Sequence, residues 1–144
     1  MKGSNNMSKM KKIANDIYNV KILKMELTIS NNSCPMVSIW FKIVSDGEYK
    51  GSIIFMNQVI TQGFQIHIVN ELLRMMTSEM GNDAPVIEFK NYKQYGNLIM
   101  DVFEAIDNNF EYALNYKKGK GDFSKYEITG IKNINKGSEC YAKH

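Results

Sequence analysis

The sequence has few of the residues from which metal sites and disulfide frameworks are built. Of its 144 residues, two are cysteines, Cys34 and Cys140, and two are histidines, His67 and His144. Two cysteines so far apart in a chain form neither a metal cluster nor a disulfide framework, and reduced thiols are typical of a cytoplasm. Because no His-x-Glu, Cys-x-x-Cys or paired-histidine spacing is present, we expect no zinc site and no cofactor.

Long apolar runs and phosphate-binding loops are missing as well. No apolar stretch approaches the roughly 20 residues that a membrane-spanning helix needs, and the lysine-rich N-terminus lacks the hydrophobic segment of a signal peptide. Neither G-x-x-x-x-G-K-[ST] nor G-x-G-x-x-G occurs. Asp101, Glu104 and Asp107 recur at helical spacing, which is typical of a solvated helix face. We therefore expect a cytoplasmic protein that makes no membrane contact and is not an enzyme.

The composition is that of one ordinary globular domain. Hydrophobic residues make up 44% of the chain and charged residues 23%, which is enough apolar material for a core. The net charge of +3 permits an anionic partner without requiring one. We predict a flexible basic arm over residues 1–15, one domain over residues 16–134 and a flexible tail over residues 135–144.

Hydrophobic periodicity predicts five strands and two helices. Alternation indicates three strands, then helical spacing takes over, and alternation returns for two more strands. The predicted ranges are 18–29, 36–44 and 52–59, helices over 62–76 and 91–106, and strands over 110–116 and 123–134. A change of phase near Ile22 and Leu23 indicates a bulge in the long first strand.

This order of elements is that of the OB-fold, a five-stranded, partly open barrel with a helix between its third and fourth strands. Other folds that combine helices and sheets share the order. We predict a mostly β fold, a five-stranded OB-like barrel with a two-helix insertion between strands 3 and 4.

Helical spacing also predicts which faces of the two helices are buried. In the first helix the recurring apolar residues are Phe64, Ile68, Leu72 and Met75. In the second they are Tyr92, Tyr95, Ile99, Val102, Phe103 and Ile106. Thr61 is the expected N-cap of the first helix, and Asn91 with Gln94 resembles a capping box at the second. His67 is interpreted as a core or partly buried residue.

The single tryptophan lies on the outer face of the second predicted strand. Val37, Ile39, Phe41 and Ile43 alternate with Ser38, Trp40 and Lys42, and the first set is the core face. Ligands of OB-folds lie across the outer face of strands 2 and 3. On the third strand we expect the outward residues to be Ile54, Met56 and Gln58, with Ile53, Phe55 and Val59 inward.

Aromatic rings on that face, with lysines beside them, are typical of a nucleic-acid interface. Base stacking contributes about 1–3 kcal/mol per ring, and lysines follow the phosphate backbone. The candidate nucleic-acid-binding residues are Trp40, Lys42, Lys117, Lys118, Lys120, Lys125 and Tyr126. Two alternatives stay open: the helices cover the Trp40 face, or a second subunit does, with Ile54 and Met56 as interface residues of a homo-oligomer.

The central part of the chain resembles a family of small phage proteins of unassigned biochemical function. The resemblance is carried by residues 35–43, 46–51 and 54–67, with 88–92 and 110–114 also similar, and it spans roughly residues 16–132. Members of this family are encoded among replication and recombination genes of phages of Gram-positive bacteria. The resemblance implies single-stranded DNA binding in the cytoplasm of an infected host, and it brings no catalytic residues.

The expected function is that of a phage-encoded single-stranded DNA-binding accessory protein acting in replication or recombination, with phage replication and recombination proteins as further partners. One departure is the C-terminal sequence, which is not the acidic tail that bacterial single-strand binding proteins usually carry. The alternative is a phage-encoded protein-interaction factor that inhibits a host defence nuclease. A near-neutral domain with a hydrophobic outer patch suits that role equally well.

Overall fold

The computed structural model describes residues 12–119 and 124–134, in which five strands and two helices follow one another in the predicted order. The elements are β1 (Asp16–Ile29), β2 (Pro35–Ile43), β3 (Ile53–Val59), α1 (Gly63–Met76), a short 3-10 turn (Gly81–Asp83), α2 (Tyr92–Ile106), β4 (Phe110–Lys117) and β5 (Lys125–Asn133). The mostly β class and the two-helix insertion between strands 3 and 4 are confirmed. Neither described helix is long and apolar enough to span a membrane.

The five strands form one antiparallel sheet that remains open. Their spatial order is β3-β2-β1-β4-β5, so β3 and β5 are the two edges. α1 packs against both edge strands. The edges approach each other at Tyr126, whose hydroxyl on β5 lies 3.5 Å from the Phe55 carbonyl oxygen of β3. No ladder of backbone hydrogen bonds joins β3 to β5 among the described residues, so the sheet curls without closing.

The predicted bulge in the first strand is confirmed. Ile22 pairs with Phe41 and Lys24 pairs with Trp40, so Leu23 is an extra residue in the ladder between β1 and β2. The extra residue shifts the alternation by one position. As a result Ile22 and Met25, on opposite sides of the bulge, are both buried in the core.

The core lies on one side of the sheet, and α2 packs on that side. Gly96 of α2 lies against Leu27 of β1, and a Cβ atom built on Gly96 would stand 3.5 Å from the Leu27 side chain. Leu27 pairs with Val37, which is fully buried on the core face of β2. The helix therefore packs on the side of the sheet opposite Trp40.

The second helix follows its sequence pattern closely. The Asn91 side chain accepts a hydrogen bond of 2.8 Å from the Gln94 backbone N–H, which confirms Asn91 as the N-cap. The Gln94 side chain accepts from the Lys90 N–H at 2.9 Å and not from the Asn91 N–H, so the predicted capping box is not completed. Its buried residues include four from the predicted stripe: Tyr95, Ile99, Val102 and Ile106. The helix ends at Asp107, whose positive φ of 44° breaks the helical path.

The first helix buries a face that shares only Leu72 with the predicted stripe. Its buried residues are Val69, Leu72, Leu73 and Met76. Phe64, Ile68 and Met75 are exposed, and so is His67. Two apolar stripes in this helix both satisfy helical spacing, so only its contact with the sheet edges decides which is buried. The N-cap is Gln62, in a capping box with Gln65, and not Thr61.

The predicted phase of the third strand is wrong. Met56 pairs with Ile39 and Ile54 pairs with Phe41, so both side chains join the core, with 1% and 3% of their surface exposed. Phe55, expected to point inward, is 52% exposed on the outer face. The run Ile53-Ile54-Phe55-Met56 is apolar throughout, and a shift of one residue moves every side chain to the other face. Ile54 and Met56 therefore cannot form a subunit interface.

Candidate nucleic-acid interface

Two aromatic rings and a lysine occupy the outer face of the sheet. Trp40 pairs with Lys24 on one side and with Phe55 on the other, so the three side chains stand in a row across β1, β2 and β3. The Trp40 and Phe55 rings meet edge to face, with centroids 5.0 Å apart and planes 80° apart. The Lys24 Nζ lies 4.6 Å from the centre of the Trp40 ring. We call Lys24, Trp40 and Phe55 the aromatic platform.

Each contact in the aromatic platform orients Trp40. The ammonium group of Lys24 over the ring is a cation–π contact, and the edge of one aromatic ring is attracted to the face of another. Lys24 also pairs with Glu26 at 3.3 Å, with both side chains less than half exposed. Trp40 itself is half-buried. The ring is therefore held in place while Phe55 and the remaining Trp40 surface face outward.

A hydrogen bond beside the platform ties its two central strands together. The Ser38 hydroxyl donates to Asn57 Oδ1 at 2.6 Å, across β2 and β3 on the outer face. Ser38 is buried at that position, although its face is the outer one. This bond fixes the spacing of the strands that carry Trp40 and Phe55.

Two pairs of lysines face each other across strands on this same outer side. Lys21 of β1 pairs with Lys42 of β2, and Lys117 of β4 pairs with Lys125 of β5. Like charges directly opposite each other destabilise an antiparallel pair. None of these four lysines makes an ion pair within the part of the chain that the structure describes. An anionic ligand would relieve the repulsion in both pairs.

The remaining predicted lysines lie at the start of the connection between β4 and β5. Lys118 is exposed, and its backbone N–H donates to Asn15 Oδ1 at 2.8 Å, which anchors the connection to the beginning of β1. Lys120 lies outside the described residues. The structure therefore brings Lys118 close to the Lys117–Lys125 pair but does not describe the tip of the loop.

Tyr126 does not share a surface with Trp40. Its ring stacks on Phe41 of the core face, with centroids 6.3 Å apart and planes 16° apart, and it lies 5.7 Å from Tyr116. Burial raises the pKa of the Tyr126 hydroxyl above its usual value. Tyr126 stands at the opening between β3 and β5, on the side of the sheet opposite Trp40.

Sequence reasoning did not identify three residues of this outer face, Lys21, Lys24 and Phe55. Lys21 and Lys24 follow from the alternation of β1 once the bulge at Leu23 is placed, so the signal for them was present. Phe55 had no such signal, because the apolar run around it fits both phases of the strand. The structure also removes one alternative for Trp40, since α2 packs on the opposite side of the sheet.

Among the described residues, no group of three or more histidine, cysteine or carboxylate side chains is close enough to hold a metal ion. Asp101, Glu104 and Asp107 are all exposed along α2, as predicted for a solvated helix face.

No protein-family model, curated protein or solved structure matches the chain. The resemblance to small phage proteins stays a prediction from the sequence.

Proposed function

We propose that this protein is a phage-encoded accessory factor that binds single-stranded DNA during replication or recombination. The proposal rests on two pairs of facing lysines, Lys21–Lys42 and Lys117–Lys125. Both pairs lie on the side of the sheet that also presents Trp40 and Phe55. Lysines that repel each other across strands, without acidic partners among the described residues, suit a polyanion. Exposed rings beside them suit unpaired bases.

The geometry of the two rings indicates which groups would contact bases and which would contact phosphates. Base–aromatic stacking contributes about 1–3 kcal/mol per base and tolerates any base. Because the planes of Trp40 and Phe55 are 80° apart, the two rings would receive bases in different orientations. A flexible single strand can present bases in that way, whereas a stacked duplex cannot. The lysine pairs would meet phosphates on both sides of the stacked bases.

We also propose that the open sheet is a partly open OB-like barrel. The element order, the antiparallel pairing and the long bulged first strand that pairs with both β2 and β4 support this proposal. The approach of Tyr126 to Phe55, with α1 packed against both edges, supports it further. In such a barrel the aromatic platform occupies the outer face of strands 2 and 3, where OB-folds bind their ligands.

The proposal is tested by titrating the fluorescence of Trp40, the only tryptophan, with an oligo-dT strand at several salt concentrations. We expect quenching and an affinity that falls with salt. If the four paired lysines each neutralise one phosphate, the slope of log K against log salt is about −3. Lys50→Ala, which removes an exposed lysine paired with Asp46, should leave the slope unchanged. No quenching and no binding at low salt would remove the proposal.

One observation favours the second candidate, a factor that inhibits a host defence nuclease. Phe64, Ile68 and Met75 form an exposed apolar stripe along α1, and such stripes often mark protein interfaces. The test is to mix the protein with host lysate in which all DNA has been digested. Recovery of a nuclease in stoichiometric amount, abolished by Ile68→Glu, would support this function. Recovery only from lysate in which the DNA is left intact would argue for the first.

A further inference from the structure

A groove runs between the two edge strands of the sheet. Its larger part has a volume of about 540 Å³ and is bounded by Gln58 of β3, Ile68 of α1 and the β5 residues around Tyr126. A smaller part of about 240 Å³ continues from it and is bounded by Phe55, Asn57 and Lys118. Gln58, Ser124 and Tyr126 line both parts, so the two form one continuous depression.

The groove is continuous with the aromatic platform. Phe55 is the shared residue, because its ring contacts Trp40 on the outer face and the residue also lines the groove at the edge of β3, where its carbonyl oxygen lies 3.5 Å from the Tyr126 hydroxyl. A strand that lies across Trp40 and Phe55 therefore reaches the groove within its next nucleotides. The exposure of Ile68 on α1 has a physical reason in this arrangement, because its side chain is a wall of the groove.

The amide groups at the groove have hydrogen-bonding capacity to spare. Asn57 Oδ1 accepts from the Ser38 hydroxyl, which leaves the Asn57 amide N–H groups as donors. Gln58 Nε2 donates to the Val59 carbonyl at 2.9 Å, which leaves Gln58 Oε1 as an acceptor. Neighbouring residues of a strand point to opposite faces, so Asn57, opposite Ser38, lies on the outer face, whereas Gln58, opposite Val37, lies on the side of Tyr126. Gln58 Oε1 is therefore the acceptor that a base beside Tyr126 would meet. Unstacked bases are recognised by such hydrogen bonds along their Watson–Crick or Hoogsteen edges.

Lysines stand at the mouth of the same groove. Lys118 lines its smaller part, and Lys117 and Lys125 line its larger part, with Glu127 as the one acidic residue there. A ring, an amide acceptor and basic side chains together match a base with its phosphate. An extended peptide added to the edge of β3 would use backbone hydrogen bonds and would have no need of these amides and lysines.

We propose that the groove between β3 and β5 is a base-selective subsite for one nucleotide of the bound strand, an inference that rests on the proposed DNA-binding function. The base lies against Tyr126 and Ile68, its edge meets Gln58, and its phosphate meets Lys118. The aromatic platform accepts any base, so base preference arises in the groove.

The test compares the affinities of homopolymer strands of equal length, (dA), (dC) and (dT), at one salt concentration. For the wild-type protein we expect at least about fivefold discrimination between two of them, the low end of what a good base-edge contact gives. Gln58→Ala should reduce the discrimination to within twofold while the salt slope and the Trp40 quenching persist. Asn97→Ala, on the exposed face of α2, is the control and should retain the preference.

The outcomes separate this inference from the function on which it rests. Salt-dependent quenching without base preference, or a preference that Gln58→Ala leaves intact, would overturn the subsite and leave DNA binding in place. No binding to any strand would overturn both. Gln58→Glu keeps the shape of the side chain, so it provides a folded variant if Gln58→Ala is unstable. It should lower the affinity for all three strands and change their order.

Discussion

Phe55 and Met56 are neighbours in the chain with opposite surroundings. Phe55 is 52% exposed beside Trp40, whereas Met56 is 1% exposed in the core. The strict alternation of β2 made the orientation of Trp40 predictable from sequence. The phase of β3 was not predictable, because four consecutive apolar residues fit either face and only the pairing with β2 decides.

The two substitutions Phe55→Ala and Met56→Ala should therefore have separate effects. Phe55→Ala removes a stacking surface, and we expect it to weaken single-stranded DNA binding by about 1–3 kcal/mol with little change in stability. Met56→Ala leaves a cavity in the core, and we expect it to cost about 2–5 kcal/mol of folding free energy. Oligonucleotide titration and urea unfolding measure the two effects. Equal loss of stability in both variants would contradict this assignment of faces.

Among the secondary-structure elements, α2 was better predicted than α1. The single apolar stripe and the Asn91 cap of α2 agree with each other, so sequence alone identified its buried face. α1 carries two apolar stripes, and its buried one depends on where the edge strands β3 and β5 stand. Because those edges come from distant parts of the chain, no local pattern could choose between the stripes.

Gly96 gives a direct test of how α2 packs on the sheet. A Cβ atom at this position would stand at an ordinary van der Waals distance of 3.5 Å from Leu27. Gly96→Ala should therefore stabilise the protein by about 0.5–1 kcal/mol through helix propensity. Gly96→Leu should instead overpack the contact and destabilise by about 1–3 kcal/mol. Urea unfolding distinguishes them, and a stabilising Gly96→Leu would contradict the close approach.

In the whole molecule, the core lies on one side of the sheet, and the aromatic platform and the facing lysine pairs lie on the other. Periodicity in the sequence was sufficient for the element order and for the bulged first strand. Whether the sheet closes depends on contacts between β3 and β5, which are separated by both helices, so sequence patterns could not decide it. For the same reason the position of Tyr126 at that opening, facing Phe41, was not predictable.

Because of its buried tyrosines, the protein should lose folding stability at alkaline pH. Burial raises the pKa values of Tyr95, Tyr112 and Tyr116 above the usual value near 10. A group with a raised pKa in the folded state contributes its stability below the unfolded value, and that contribution is lost as pH rises through the folded value. We expect the urea midpoint to fall above about pH 10.

Lysines also titrate above about pH 10. The variant Tyr112→Phe distinguishes the loss of stability caused by a buried tyrosine from the loss caused by lysine titration. The variant removes a buried ionisable hydroxyl, so its stability should decline less steeply above about pH 10 than that of the wild type. At neutral pH it should be about 1–3 kcal/mol less stable, because the Met76 carbonyl loses its 2.9 Å hydrogen bond from Tyr112. Identical slopes for the two proteins would show that Tyr112 does not contribute.

The central claim is that facing lysines beside the aromatic platform bind the DNA backbone. It is tested most directly by the salt dependence of oligo-dT binding in two double variants that lose the same charge. Lys21→Ala/Lys42→Ala removes one facing pair, and Lys50→Ala/Lys93→Ala removes two exposed lysines elsewhere. We predict that the slope becomes shallower by about 1.4 in the first variant and stays unchanged in the second. Equal changes in both variants, or no binding by the wild type, would contradict the claim.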